Sequence, residues 1–457
     1  MKSICIPAWR VSTMNKSLGC FLLMSTIGIL GGGTVVAQNA IPAPKQQKPV
    51  ALVGGTVHTV SGAVIPNGTV VFDNGKITAV GANAAVPAGA ERVDVTGKHV
   101  FPGMIDAYNS MALGEIGLGA PGTIDYAESG QINPNARAEV AVHPESEQIP
   151  VGRSGGVTLA VVCPQGGLIS GLSAAMMLEG WSWEDMTLKA PLGLIVHWPT
   201  MVYTPNPFSQ QTKEDWLKRR DENLKLLSDA FAHARAYMTA KKAEQAKGVP
   251  YHDTDPRWEA MIPVLEGQVP VVVNAFELTE IQAAIAFSER EKVRLIISGG
   301  IDSWRVADQL KAKDIPVIVT DLQSGGRRWE EYDVIFSLPK KLQEAGVRFC
   351  ITSDRSGANI RNTPFHAAQA SAYGLDRDEA LKAVTLYPAQ IFGIADRVGS
   401  IDVGKDANVV IANGDILEIT SRIEQVYIQG RKSDMRDKHT RLYEKYEEKY
   451  RQLKAGK

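Results

Sequence analysis

Apolar strand-like segments alternate with amphipathic helical segments along the middle of this chain, and that alternation limits the possible folds more than any other feature. Seven runs have the composition of strands: 101–106, 156–163, 192–198, 269–275, 294–297, 315–319 and 347–352. Three segments between the later runs carry apolar residues at helical spacing: 278–291, 301–312 and 329–345. Over about 290 residues, this alternation predicts parallel βα units and an α/β fold with a (β/α)8 TIM-type barrel.

Short strand-like segments lie on both sides of this middle region. Residues 51–100 contain alternating runs separated by turn residues, the pattern of antiparallel hairpins, and 396–432 have the same character. We therefore expect a small composite β-sandwich domain built from both ends of the mature chain, and a barrel that occupies 101–395. Charged residues predict a helical insertion on the barrel at 212–247 and a C-terminal helix at 433–457 that faces solvent or a partner.

The first 37 residues have the layout of a secretory signal. Basic residues precede an apolar run at 18–30, and small residues follow up to Ala37. Cleavage there makes Gln38 the new N-terminus, with 38–50 as a linker, and predicts a protein that is exported to the periplasm or secreted. An N-terminal membrane anchor is the alternative, although the apolar run is short for a membrane span.

The charge balance excludes one class of partner. Lys and Arg total 49 and Asp and Glu total 50, so the basic excess needed to coat nucleic acid is absent. No later apolar run approaches the roughly 20 residues of a membrane span, so no span is expected after signal cleavage.

Cys163 and Cys350 are the cysteines of the mature chain, and their apolar surroundings predict two buried thiols.

Residues 101–110, Phe-Pro-Gly-Met-Ile-Asp-Ala-Tyr-Asn-Ser, resemble the first barrel strand of the amidohydrolase superfamily. In that family an apolar strand after Pro-Gly ends in Ile-Asp and carries a His-x-His pair. Residues 53–57 and 74–81 resemble the family's N-terminal sheet, and 352–354 resemble its eighth-strand aspartate motif. Residues 386–393 resemble the helix that follows this motif, and 399–410 resemble a returning C-terminal strand. The resemblance covers nearly the whole mature chain and has the character of the secreted imidazolonepropionase-like branch.

This resemblance implies an enzyme that hydrolyses a non-peptide C–N bond in a cyclic amide, an amide or an amidine. In such enzymes a divalent metal activates water, and the eighth-strand aspartate, here Asp354, moves the proton. The residue Asp354 has a second interpretation, because a carboxylate at a strand end can simply bond to Ser353, Arg355 or a loop amide.

The sequence departs from the family at the metal-binding histidines. Tyr108 and Ser110 stand at the His-x-His positions. Asn274 stands at the fifth-strand histidine and Gly299 at the sixth-strand histidine. Tyr, Ser and Asn are weak ligands, Gly offers none, and the single carboxylate of Asp354 does not hold a transition metal against water. We therefore expect a pocket at these positions and no metal cofactor, with zinc only if other residues rebuild the site.

Three histidines are candidates for such a rebuilt site. His197 ends a predicted strand, where barrel sites form, and pairs with Asp354 in a hypothetical acid–base couple without metal. His143 and His366 are possible pocket-lining residues, and an ordinary structural role is the alternative for all three. A rebuilt site requires at least two of these histidines within reach of Asp354.

Two functions follow from this sequence. The first is an exported hydrolase of non-peptide C–N bonds, either metal-free or with a rebuilt site. The second is a degenerate, non-catalytic relative that binds a small molecule or pairs with a metal-competent paralogue, and a homo-oligomer is also possible.

Overall fold

A computed structural model of the chain describes residues 41–115, 124–205, 211–244, 251–327 and 329–455. The predicted signal segment 1–37 lies outside the described residues, as do the start of the predicted linker and residues 245–247 of the predicted insertion. No described helix is both long enough and apolar enough to cross a membrane.

The described strands form two sheets. One sheet contains β1 (Val50–Val57), β2 (Ile65–Asp73), β3 (Lys76–Gly81), β4 (Glu91–Asp94), β5 (His99–Pro102), β14 (Val409–Ala412), β15 (Ile423–Ile428) and β16 (Arg431–Lys432). The other contains β6 (Met104–Asn109), β7 (Val157–Val162), β8 (Ile169–Met177), β9 (Thr187–His197), β10 (Val271–Ala275), β11 (Leu295–Gly299), β12 (Val317–Val319) and β13 (Phe349–Ile351).

Strands β6 to β13 lie side by side in chain order and form a nearly closed barrel sheet. Neighbouring strands are parallel except at β8, which is antiparallel to both β7 and β9. The mixed α/β fold and the barrel sheet agree with the sequence-based prediction. The barrel sheet departs from a strict (β/α)8 repeat, because β8 is antiparallel to its neighbours. Strand β8 was not predicted, because the glycines at 166, 167 and 171 that surround its start are typical of a loop.

The second sheet has the order β16-β15-β14-β5-β1-β2-β3, with β4 beside β1. Strand β14 pairs with β5, so segments far apart in the sequence share hydrogen bonds in this sheet. Phe72, Val100 and Tyr427 belong to its buried apolar cluster. The layering of this sheet as a sandwich remains a prediction.

Helices cover the barrel sheet and extend from it. They are α1 (Gln148–Ser154), α2 (Trp183–Met186), α3 (Lys213–Ala243), α4 (Pro256–Leu265), α5 (Leu278–Glu291), α6 (Ala307–Ala312), α7 (Leu338–Ala345), α8 (Thr363–Ala372), α9 (Arg377–Ala383), α10 (Leu386–Ile391) and α11 (Lys438–Ala455). Helix α5 matches the predicted 278–291. Helix α7 is shorter than the predicted 329–345, because Pro339 lies in its first turn, where proline favours a helix start.

The thiols of Cys163 and Cys350 are both buried and free, as predicted. Burial raises the pKa of each thiol above its usual range, which keeps both protonated and unreactive.

A buried carboxylate connects the first and last strands of the barrel sheet. Asp106 on β6 is fully buried, and its Oδ1 accepts hydrogen bonds from Thr352 Oγ1 (2.7 Å) and Asn109 Nδ2 (2.6 Å). Its Oδ2 accepts from the Ser353 backbone N–H (3.0 Å) and Thr363 Oγ1 (2.7 Å). These donors offset the cost of removing the carboxylate from water, so Asp106 holds β6 against the chain that follows β13.

We predict that Asp106→Ala lowers the free energy of unfolding by about 3–5 kcal/mol, because several buried donors lose their acceptor together. Asp221→Ala, which removes an exposed carboxylate on α3, is the matched control and changes stability by about 0.5 kcal/mol or less. Urea unfolding of the two variants measures both values. Equal stability of the two variants would contradict the role given to Asp106.

Candidate active site

Three polar side chains meet inside the barrel at the carboxyl ends of its strands. Asn274 on β10 donates a hydrogen bond from Nδ2 to the hydroxyl of Tyr108 on β6 (2.6 Å). The same Nδ2 lies 3.1 Å from Nδ1 of His197, the last residue of β9. Strands β6 and β10 are not neighbours in the sheet, so the contact between Tyr108 and Asn274 crosses the barrel interior. We call Tyr108, Asn274 and His197 the mouth cluster.

The hydrogen bonds of the mouth cluster assign the tautomer of His197. Because Asn274 Nδ2 is a donor, Nδ1 of His197 is the acceptor, and the imidazole proton is on Nε2. Nε2 of His197 and Oδ1 of Asn274 are both buried and have no hydrogen-bond partner among the described residues. Buried polar atoms are nearly always paired, so this donor and this acceptor are candidates for contact with a ligand.

The mouth cluster is neutral at neutral pH. Burial and, to a smaller extent, the positive charge of Arg355 lower the pKa of His197 to about 4. Burial raises the pKa of the Tyr108 hydroxyl well above its usual range. Because the pKa of His197 in the folded state lies below its ordinary 6.5, its contribution to stability is complete above pH 6.5 and is lost as the pH falls towards 4.

The carboxylate of Asp354 accepts hydrogen bonds from the loop that follows β13. Its Oδ1 accepts a hydrogen bond from the backbone N–H of Ser356 (3.1 Å), and its Oδ2 accepts from Asn359 Nδ2 (2.5 Å). Among the described residues, His197 makes no hydrogen bond with Asp354. The structure therefore places both members of the hypothetical acid–base couple near the carboxyl end of the barrel without joining them.

Gly299 and Ser110 stand at the two remaining positions where the resemblance places a metal-binding histidine. Gly299 ends β11 with a φ of +100°, and a Cβ atom there would lie 2.7 Å from the ring of Phe276. No side chain fits at that position without moving the ring. The hydroxyl of Ser110 donates to the backbone carbonyl of Arg355 (3.4 Å).

Among the described residues, the other two candidate histidines make no hydrogen bond with the mouth cluster. His143 is paired at a partly exposed position with Asp125 (2.6 Å between Nε2 and Oδ2). His366 on α8 is buried, and its Nδ1 has no hydrogen-bond partner in the described part of the chain. Burial lowers the pKa of His366, whereas the charges of Asp106 and Asp354 act in the opposite direction.

Ser298 is a site residue that the sequence analysis missed. Its hydroxyl is buried and has no hydrogen-bond partner within the described ranges, and Ser298 is in register with Asn274 on the neighbouring strand β10. Val271 pairs with Leu295, so three residues further along the two strands Asn274 pairs with Ser298. Paired residues in parallel strands share a face of the sheet, and this register therefore identifies Ser298.

Comparison with known proteins adds to this geometry. A model of the amidohydrolase family matches residues 333–433, which include Asp354. The amidohydrolase tasK of Hapsidospora irregularis is 25% identical over 396 residues, which cover 79% of this chain and 39% of that protein. The chain therefore spans about two fifths of the length of this curated relative.

Two solved structures are similar in fold. The crystal structure of an amidohydrolase from Thermotoga maritima has a TM-score of 0.76 and 28% identity, and covers 85% of this chain and 100% of its own. A structure of molinate hydrolase, with a TM-score of 0.52 and 18% identity over 85% of this chain and 95% of its own, shows the likeness of fold alone. Together these findings support the amidohydrolase superfamily.

The superfamily implies a divalent metal, and the residues of the mouth cluster do not fit one. They supply a single imidazole, a neutral buried phenol and an amide, whereas zinc sites use histidines, thiolates and carboxylates. In the described parts of the chain, no three His, Cys, Asp or Glu side chains lie together as ligands. The internal segments outside the described residues contain none of these four residue types.

Proposed function

We propose that this chain is an exported, amidohydrolase-type hydrolase that acts on a non-peptide C–N bond of a small molecule and works without a metal. The observation that carries the proposal is the mouth cluster. It lies where barrel enzymes build their active sites, and it has a donor and an acceptor that no described residue pairs.

The unpaired atoms of the mouth cluster match the polar groups of an amide. The Nε2–H of His197 is suited to donate to a substrate carbonyl oxygen, and Oδ1 of Asn274 is suited to accept a hydrogen bond from an amide N–H. A donor aimed at the carbonyl oxygen stabilises the negative charge that develops there when water attacks. Tyr108 fixes the orientation of Asn274 through their hydrogen bond. A neutral cyclic amide, amide or amidine is therefore the proposed class of substrate.

One observation favours a second candidate function. Both carboxylate oxygens of Asp354 are held by loop donors, so the residue that moves protons in the superfamily is engaged elsewhere in this structure. The second candidate is a non-catalytic protein that uses the same mouth cluster to bind a small molecule, alone, as a homo-oligomer or paired with a metal-competent paralogue.

We predict that purified protein, treated with a chelator, binds and hydrolyses members of a panel of small lactams, linear amides and amidines. Mass spectrometry of the products measures hydrolysis, and calorimetry measures binding. His197→Gln lowers turnover by about 100-fold, because a donor to the carbonyl oxygen is displaced. His143→Gln is the matched control and leaves turnover unchanged, because His143 is paired with Asp125 outside the cluster.

Each result distinguishes between the candidates. Binding without product, weakened by His197→Gln, would favour the non-catalytic protein over the hydrolase. Turnover that disappears with the chelator and returns with zinc would contradict the metal-free proposal. Equal loss of turnover in both histidine variants would contradict the assignment of the mouth cluster.

Export is also part of the proposal, and it is supported by the basic, apolar and small-residue order of 1–37. We expect the mature protein, produced in a secreting bacterial host, to begin at Gln38 when its N-terminus is sequenced. A protein that retains 1–37 after export would contradict cleavage and favour the membrane anchor.

A further inference from the structure

The side chain of Arg355 extends across the carboxyl end of the barrel. Its backbone carbonyl lies beside β6, where it accepts the hydrogen bond from Ser110. Its guanidinium carbon lies 4.9 Å from the centre of the Phe276 ring, directly after β10. The side chain therefore spans the distance from the loop after β13 to the end of β10, over strands that lie between them in the sheet.

The Phe276 ring that contacts Arg355 has room because Gly299 has no side chain. Phe276 occupies the space that a Cβ atom at Gly299 would fill, and the φ of +100° at Gly299 is one that residues with side chains rarely adopt. The position at which the resemblance places a metal-binding histidine thus allows an aromatic ring to lie under a guanidinium group. A cation over an aromatic face keeps its N–H groups free at the edges.

The guanidinium group of Arg355 has unused hydrogen-bonding capacity. Its side chain makes no hydrogen bond to any described residue, and 40% of it is exposed. The carboxylate of Asp321 is 3.8 Å away, which is longer than a hydrogen bond. The charge of Arg355 acts on both His197 and Tyr108, so the guanidinium lies close enough to influence the mouth cluster.

We propose that Arg355 binds a carboxylate group of the small molecule whose amide is held by the mouth cluster. A guanidinium group presents paired N–H donors that match the two oxygens of a carboxylate. The ligand class is therefore a small amide or lactam that carries a carboxylate. This inference rests on the proposed function of the mouth cluster and adds the charge of its substrate.

The test compares matched pairs of small amides that differ in one group, a carboxylate in one member and a carboxamide in the other. 5-Oxoproline with 5-oxoprolinamide is one pair, and N-acetylglycine with N-acetylglycinamide is another. Calorimetry measures the affinity of the full mature protein for each member. Wild type is expected to bind the carboxylate members about tenfold more tightly, as a charge-assisted hydrogen bond requires.

Variants isolate the contribution of Arg355. Arg355→Ala removes the preference for carboxylates, because the affinity for the carboxylate members falls to that for the carboxamides, whereas Arg355→Lys keeps part of the preference. Asp321→Asn strengthens carboxylate binding, because it removes the nearby negative charge, and asparagine tolerates the φ of +57° at this position. Phe276→Leu weakens carboxylate binding while Arg355 is retained.

Three outcomes would overturn the inference. Equal affinity of wild type for both members of every pair would show that Arg355 does not select carboxylates. A preference that survives in Arg355→Ala would assign it to another residue. Both of these results leave the proposed function intact, whereas failure of every member of both series to bind would contradict the proposed small-molecule site and this inference together.

Discussion

The hydrogen bonds accepted by Asp106 are the constraint on which the barrel mouth depends. They join β6 to the chain after β13 through Thr352 and Ser353, at the point where the barrel sheet closes. Thr352 also accepts a hydrogen bond from the backbone N–H of Tyr108 (3.2 Å). One buried carboxylate thereby sets the position of Tyr108 on one side of the closure and of the Asp354 loop on the other.

Neutral hydrogen bonds and one cation are the polar features of this mouth. Asn274 links Tyr108 and His197 across the interior, and burial keeps both of those side chains uncharged at neutral pH. Arg355 supplies a positive charge at the edge of the mouth, over the ring of Phe276. A site of this kind is suited to a neutral amide group near an anionic one, because each part of such a ligand meets a matching partner.

The sequence predicted the parts of the fold that depend on local periodicity. The apolar spacing of α5 and the apolar runs of the parallel strands identify those elements, because helix and strand periods are properties of neighbouring residues. Strand β8 was missed, since Gly166 and Gly167 have positive φ in the turn before it and are typical of loops. Its pairing with β7 and β9 is a tertiary property that the local pattern does not contain.

The sequence indicated candidate site positions and did not predict the contacts between them. The resemblance marked Tyr108 and Asn274 as pocket residues, and the structure joins them by a hydrogen bond. The placement of Phe276 beside Gly299, and of Arg355 over Phe276, depends on the packing of segments far apart in the sequence. Local patterns cannot specify such contacts, which is why Arg355 entered the sequence analysis only as a possible partner of Asp354.

The ionisation of His197 tests the central claim most directly, because a hydrogen-bonded neutral imidazole and a metal ligand respond differently to protons and to zinc. NMR titration of protein labelled at histidine, with His197→Gln to assign the resonance, measures its pKa. The account predicts a pKa of about 4 and no change in the resonance on addition of zinc. A pKa near the ordinary 6.5, or a resonance that shifts with stoichiometric zinc, would contradict it.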